Sequence, residues 1–83
     1  MSVYTEVKYK IATECDIPFN GIHSGTPFMD NRDLSFFDCV NVLSDLEHRF
    51  DVKLPESDYA KYGTVGRLTR RIVKELKHRN RTK

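Results

Sequence analysis

Residues 34–51 read LSFFDCVNVLSDLEHRFD, and the spacing of their apolar side chains decides the fold. At about 100° per residue, Phe36, Cys39, Val40, Val42, Leu43, Leu46 and Phe50 gather into one sector. Asp38, Asn41, Ser44, Asp45, His48 and Arg49 take the other side. This pattern predicts an amphipathic helix with one face in a core. Ser35 followed by Asp38 fits S-x-x-[DE], in which the serine oxygen accepts from a backbone N–H of the first turn. Downstream, Pro55 disfavours helical geometry at Leu54, so the DVKLPES segment is expected to end the helix. Phe37 breaks the wheel. It falls among Asn41, Ser44 and His48 and is expected to be exposed, whereas Phe36 is expected to pack over the end of the bundle.

Working outward, Val3, Val7, Ile11 and Cys15 recur every four residues, which predicts a first helix over 3–15. Asp16, Ile17 and Pro18 end it. The connection from Asp16 to Leu34 is longer than most loops in small domains. It carries turn signals at Asn20-Gly21 and Ser24-Gly25-Thr26-Pro27, and apolar anchors at Ile17, Phe19, Ile22 and Phe28. It is expected to wrap on the bundle, and Thr26-Pro27 can open a single helical turn. After the central helix, Pro55 to Tyr62 suits a short helix closed by a left-handed Gly63. Thr64 caps a last helix on the stripe Val65, Leu68, Ile72 and Leu76, widened by Val73. The expected architecture is all-α: a four-helix bundle of three main helices and one short one, with a long first loop. The domain is expected to span residues 1–76, and the basic stretch 77–83, KHRNRTK, to fray.

At 83 residues, 39% of them hydrophobic and 31% charged, the chain is long enough for one modest core. No apolar run approaches the roughly 18 residues that span a bilayer. The first ten residues lack the apolar centre of a signal peptide, so a cytoplasmic monomer without membrane insertion is expected. Cys15 and Cys39 are too few for a disulfide framework and are expected to be buried free thiols. The net charge of +2 hides a split. Residues 1–66 hold 6 Lys/Arg against 11 Asp/Glu, net −5, and residues 67–83 hold 8 against 1, net +7. Such asymmetry speaks about partners more than about fold.

The arrangement resembles an acyl carrier protein from Val7 to Leu76 without a gap. The resemblance is carried by Val7, Ile11, Ile17, Ile22 and Phe28, by LEHRFDVKLP at 46–55, which is similar to the family's L-E-x-x-F-x-x-x-I-P, and by Thr64-Val65. It implies a four-helix bundle that carries acyl groups on a 4'-phosphopantetheine arm, attached to the serine of a D-S-L motif at the start of the second helix. The ungapped register sets Ser35-Phe36-Phe37-Asp38 against D-S-L-D, so Phe36 stands where the serine is needed. Counted from position 36, the family's apolar spacing falls on Phe37, Val40, Leu43, Leu46 and Phe50. Counted from Ser35 it reaches Asp45 and Arg49, and fails. The resemblance thus implies a non-enzymatic carrier-like module of a fatty-acid or polyketide type of system that lacks the cofactor and acts through protein contacts. The alternative is a working carrier with the arm on Ser35. Carrier proteins dock their enzymes through this helix, which makes Phe37, Asp38, Val40, Asn41, Ser44, Glu47 and His48 the candidate partner-binding residues. Asp38, Asp45, Glu47 and Asp51 give that helix an acidic character that Asn41 and His48 dilute.

Other constellations are weaker. His23, His48 and His78 have no helical pairing with one another or with a cysteine, so no metal site is expected, and a Cys–His nucleophile has no local signature. Arg67, Arg70, Arg71 and Lys74 share one face of the last helix, but no aromatic is interleaved to stack on bases. Nucleic acid is therefore a poor fit, and contact with an acidic protein, or simply a solvated tail, a better one. Reversing Arg70 and Arg71 to Glu is expected to weaken partner binding with little effect on folding.

Overall fold

Ser2 opens the first helix by accepting, through its hydroxyl oxygen, a hydrogen bond from the Thr5 N–H at 3.1 Å. The computed structural model describes residues 2–81, with backbone alone at positions 80 and 81. Helix α1 (Val3–Cys15) ends at Asp16, whose φ of 55° is left-handed. Helix α2 (Phe36–Phe50) starts from Ser35, whose oxygen accepts from the Asp38 N–H at 3.0 Å. A 3₁₀ helix (Glu56–Lys61) follows, and α3 (Val65–Arg81) is capped by Thr64, which accepts from the Arg67 N–H at 3.2 Å. The fold is an all-α bundle of three main helices and one short one.

The end of α2 differs from its expected cause. The helix stops at Asp51, four residues before Pro55, with φ 54° there. The N–H groups of Asp51 and Val52 both donate back to the Glu47 carbonyl, which closes the last turn without help from the proline. The short Asp side chain tolerates the left-handed region better than most.

One core serves the whole domain. Val7 and Ile11 from α1, Cys39, Val42, Leu43 and Leu46 from α2, and Val65, Leu68 and Ile72 from α3 are buried together. Ile22 and Phe28 from the long connection and Val52, Leu54 and Tyr62 around the 3₁₀ helix complete it. The connection therefore does wrap on the bundle, as its anchors imply, except that Phe19 lies in a 3₁₀ turn (Phe19–Gly21) with its ring partly in solvent under Lys8. Thr26-Pro27 opens no helical turn. Pro27 instead pairs with Thr64 in an isolated antiparallel bridge, and no longer strand forms among the described residues. Phe28 and Met29 donate to the carbonyls of Gly63 and Tyr62, while the N–H groups of Val65 and Gly66 donate to Thr26 and Ser24. These four bonds tie the loop to the start of α3 and satisfy two of its orphan donors.

Gly63 is not a left-handed cap. No glycine in the described chain has positive φ, and a Cβ at 63 would collide with the Asp30 carboxylate. That carboxylate is the tip of an exposed, flexible side chain. A Cβ at Gly66, by contrast, would lie 2.9 Å from the backbone carbonyl oxygen of Ser24, so the close approach of loop and helix bears on Gly66. Within the basic stretch, α3 is described as far as Arg81. Arg79 donates to the carbonyls of Phe50 and Asp51 at 3.2 and 2.6 Å, binding the negative end of α2. Positions 82 and 83 of the expected frayed tail lie outside the described residues.

Candidate functional site: the outward face of the central helix

The wheel of α2 divides into four sides once its neighbours are known. Cys39, Val42, Leu43 and Leu46 face the core. On the α1 flank, Arg49 grips Glu6 with two bonds of 2.8 and 2.6 Å, and Lys10 lies 3.9 Å from Asp45. On the other flank, the Glu47 carboxylate accepts from the Leu54 N–H at 2.7 Å, and the Phe36 ring leans on Tyr59 with centroids 6.1 Å apart. The fourth side is a row at spacings of four and three: Phe37, Asn41, Ser44 and His48. None of these four side chains has a hydrogen-bond or ionic partner among the described residues.

The candidate set is thus split by the structure. Phe37, Asn41, Ser44 and His48 lie on the outward row, with Val40 and Glu47 beside it and Asp38 on the α1 side. Ser44, Glu47 and His48 also meet Asp51, Val52 and Lys53 around a shallow hollow at the end of α2. Phe37 is 72% exposed, as its place on the wheel requires. Glu47, the glutamate of the L-E-x-x-F pattern, also has a structural use: it staples the chain that leaves the helix.

Phe36 corrects its expected place. It is 61% exposed and meets only the edge of the bundle, through Tyr59. At this first-turn position the ring is covered on one side by Tyr59 and otherwise left to solvent. The two phenylalanines form an exposed aromatic pair at the helix start, of which the sequence disclosed only Phe37. Phe36→Ser is accordingly expected to change stability by less than about 1 kcal/mol in urea unfolding.

The nucleophile candidates at this end of the bundle are held back. Cys39 is buried, and its thiol points to the Phe28 carbonyl at 3.7 Å. Burial, then the Asp38 charge, raises its pKa. Cys15 corrects its expected burial: it is only half-buried, yet burial first and then Cys39, Asp38 and Glu14 push its thiol up to about 11. Both thiols are protonated near neutral pH, the unreactive form. His23, His48 and His78 are exposed, and no group of three or more metal-ligating side chains gathers among the described residues. No helix there is long and apolar enough to cross a membrane.

No protein-family model matches the chain. Over 65 residues it is 31% identical to the acyl carrier proteins of Chlorobium phaeovibrioides and Chlorobium luteolum, a stretch covering 78% of this chain and 83% of each of theirs. The chain belongs to the acyl carrier protein family. Against the acyl carrier protein of Lactobacillus acidophilus it is 28% identical over 64 residues, 77% of this chain and 80% of that one. Within this carrier-family bundle the start of α2 presents one hydroxyl, that of Ser35, and two exposed phenyl rings directly after it.

Proposed function

We propose that this acyl-carrier-family protein is a non-catalytic binding module for enzymes of acyl-chain biosynthesis, docking through the outward face of α2 and carrying no phosphopantetheine arm. The observation that supports this most is the first turn of α2. Phe36, in the register where the family has its modified serine, offers no oxygen. The neighbouring Ser35 oxygen is engaged with the Asp38 N–H, a cap whose loss costs about 0.5–2 kcal/mol. The residues at the helix start therefore do not fit the arm. They fit a protein contact instead: two exposed rings beside the unpaired polar row Asn41, Ser44 and His48 combine aromatic anchors with a hydrogen-bonding rim. Phe37, Asp38, Val40 and Asn41 would make the first part of that contact, and Ser44, Glu47 and His48 the second.

The second reading is a working carrier modified at Ser35, and the exposure of that residue favours it. One experiment separates the two. The protein is incubated with coenzyme A and a broad-specificity phosphopantetheinyl transferase, and intact mass is read. No mass gain is expected in the wild type or in Ser35→Ala, and a gain is expected in Phe36→Ser, which places a hydroxyl at the register of the family's serine and keeps Phe37 and the polar row. A gain in the wild type that disappears in Ser35→Ala would overturn the proposal and make the protein a carrier.

A further inference from the structure

The docking face proposed for α2 leaves the basic last helix unused. Arg67, Arg70, Lys74 and Lys77 succeed one another along α3 at spacings of three and four, which places them on one ridge. All four are exposed, and none has a carboxylate partner among the described residues. Arg71 and Arg79, by contrast, are consumed within the fold by Asp58, Glu75 and Asp51. The ridge borders an open groove of about 600 Å³ lined by Thr69, Arg70, Val73, Lys74, Lys77 and His78, in which Val73 and the lysine and arginine stems supply an apolar floor. Arg70 and Lys74 also line the hollow on the other side, with Lys61 and Arg67.

We propose that this ridge and groove form a second docking surface, for an acidic amphipathic helix of a partner protein. The combination selects the occupant. Four unpaired cations over about 15 Å of helix match carboxylates repeated every three or four residues, and the apolar floor beside them takes the other face of the same helix. An anionic bilayer is disfavoured because Val65, Leu68 and Ile72, the apolar face of α3, are buried in the core and have nothing to insert. Nucleic acid is disfavoured because the remainder of the chain, net −5 over residues 1–66, repels phosphates beyond the ridge. Of the aromatics beside it among the described residues, Tyr62 is buried and Tyr4 already lies under Lys8.

The test uses the full chain, ¹⁵N-labelled, and four probes: a synthetic helix with leucines on one face and glutamates on the other, a scrambled peptide of the same composition, oligothymidylate, and vesicles of anionic phospholipid. The amphipathic peptide is expected to shift the amides of Thr69, Val73, Lys74 and Lys77. Its affinity is expected to exceed that of the scrambled peptide by about tenfold and to fall about tenfold in Arg70→Glu/Lys74→Glu. Arg32→Glu, a reversal of an exposed charge elsewhere, is expected to bind as the wild type does. Circular dichroism of each variant confirms that the helices persist. Absence of binding, equal binding of the scrambled peptide, unchanged binding in Arg70→Glu/Lys74→Glu, or tighter binding of oligothymidylate or vesicles would each overturn the proposal. The result does not depend on whether Ser35 can be modified, so it stands or falls apart from the reading of α2.

Discussion

Phe28→Ala is expected to lower the free energy of unfolding by about 3–5 kcal/mol, the usual cost of deleting a fully enclosed aromatic ring. Phe28 is 0% exposed although it belongs to the longest irregular stretch of the chain. Its N–H donates to Gly63 at 2.7 Å and its carbonyl receives the Cys39 thiol, so the ring is placed from both α2 and the start of α3. A domain of this size holds roughly 4–12 kcal/mol in total, so one substitution in a loop threatens a large part of it. Phe19→Ala, in the same connection but 37% exposed, is expected to cost less than about 1 kcal/mol. Urea unfolding of the two variants checks the contrast. A loss below about 1 kcal/mol for Phe28→Ala would mean that the connection detaches without disturbing the bundle.

Arg71→Glu is expected to lower the melting temperature by roughly 5–10 °C, while Arg70→Glu shifts it by no more than about 2 °C. The two arginines are adjacent in sequence and opposite in use. Arg71 is half-buried, 2.9 Å from Asp58 and 2.9 Å from Glu75, and its guanidinium lies over the Tyr62 ring at 5.8 Å. It thereby joins the 3₁₀ helix to α3. A glutamate there would set three carboxylates together beside a tyrosine whose hydroxyl is itself buried without a partner. Arg70 faces solvent on the ridge. This corrects the expectation that both reversals leave folding intact. The pH dependence follows the same contact. The Arg71 hydrogen bond holds the Asp58 carboxyl below the usual carboxylate range. Its contribution is therefore fully present above about pH 4 and is lost as pH falls further, through the lowered folded value. Thermal melts at pH 7 and pH 3 should show the gap between Arg71→Glu and the wild type narrowing in acid. A constant gap would assign the destabilisation to packing alone.

The bounds of α1 and the serine cap of α2 illustrate what local chemistry can carry. A period of four in Val3, Val7, Ile11 and Cys15 and a hydroxyl placed before a polar N–H are properties of neighbours within a few residues, and they survive in the fold unchanged. The wrapping of the long connection was legible for the same reason, since Ile22 and Phe28 have no other way to leave water. The candidate face was legible in part. Phe37, Asn41, Ser44 and His48 share a side of any helix that buries Leu43 and Leu46. Phe36 was not legible, because whether an apolar position is covered depends on what the fold packs over it, which the wheel of α2 does not contain.

The charged residues divide on the same principle. Sequence alone determined that the last helix is basic and that the rest of the chain is acidic, for that is a matter of counting. Tertiary structure decided which of those charges are available. Arg71 is held by Asp58 across 13 positions of chain and Arg79 by the end of α2 across 28, whereas Arg67, Arg70, Lys74 and Lys77 meet no acid among the described residues. It decided as well that Gly66 leaves room for the Ser24 carbonyl, and that Glu47 accepts from the Leu54 amide. The helices, their caps and the family likeness follow from residues close together in the chain. The exposed aromatic pair and the unpaired cationic ridge follow from which distant groups the packing brings within a few ångströms, and no local pattern encodes that distance.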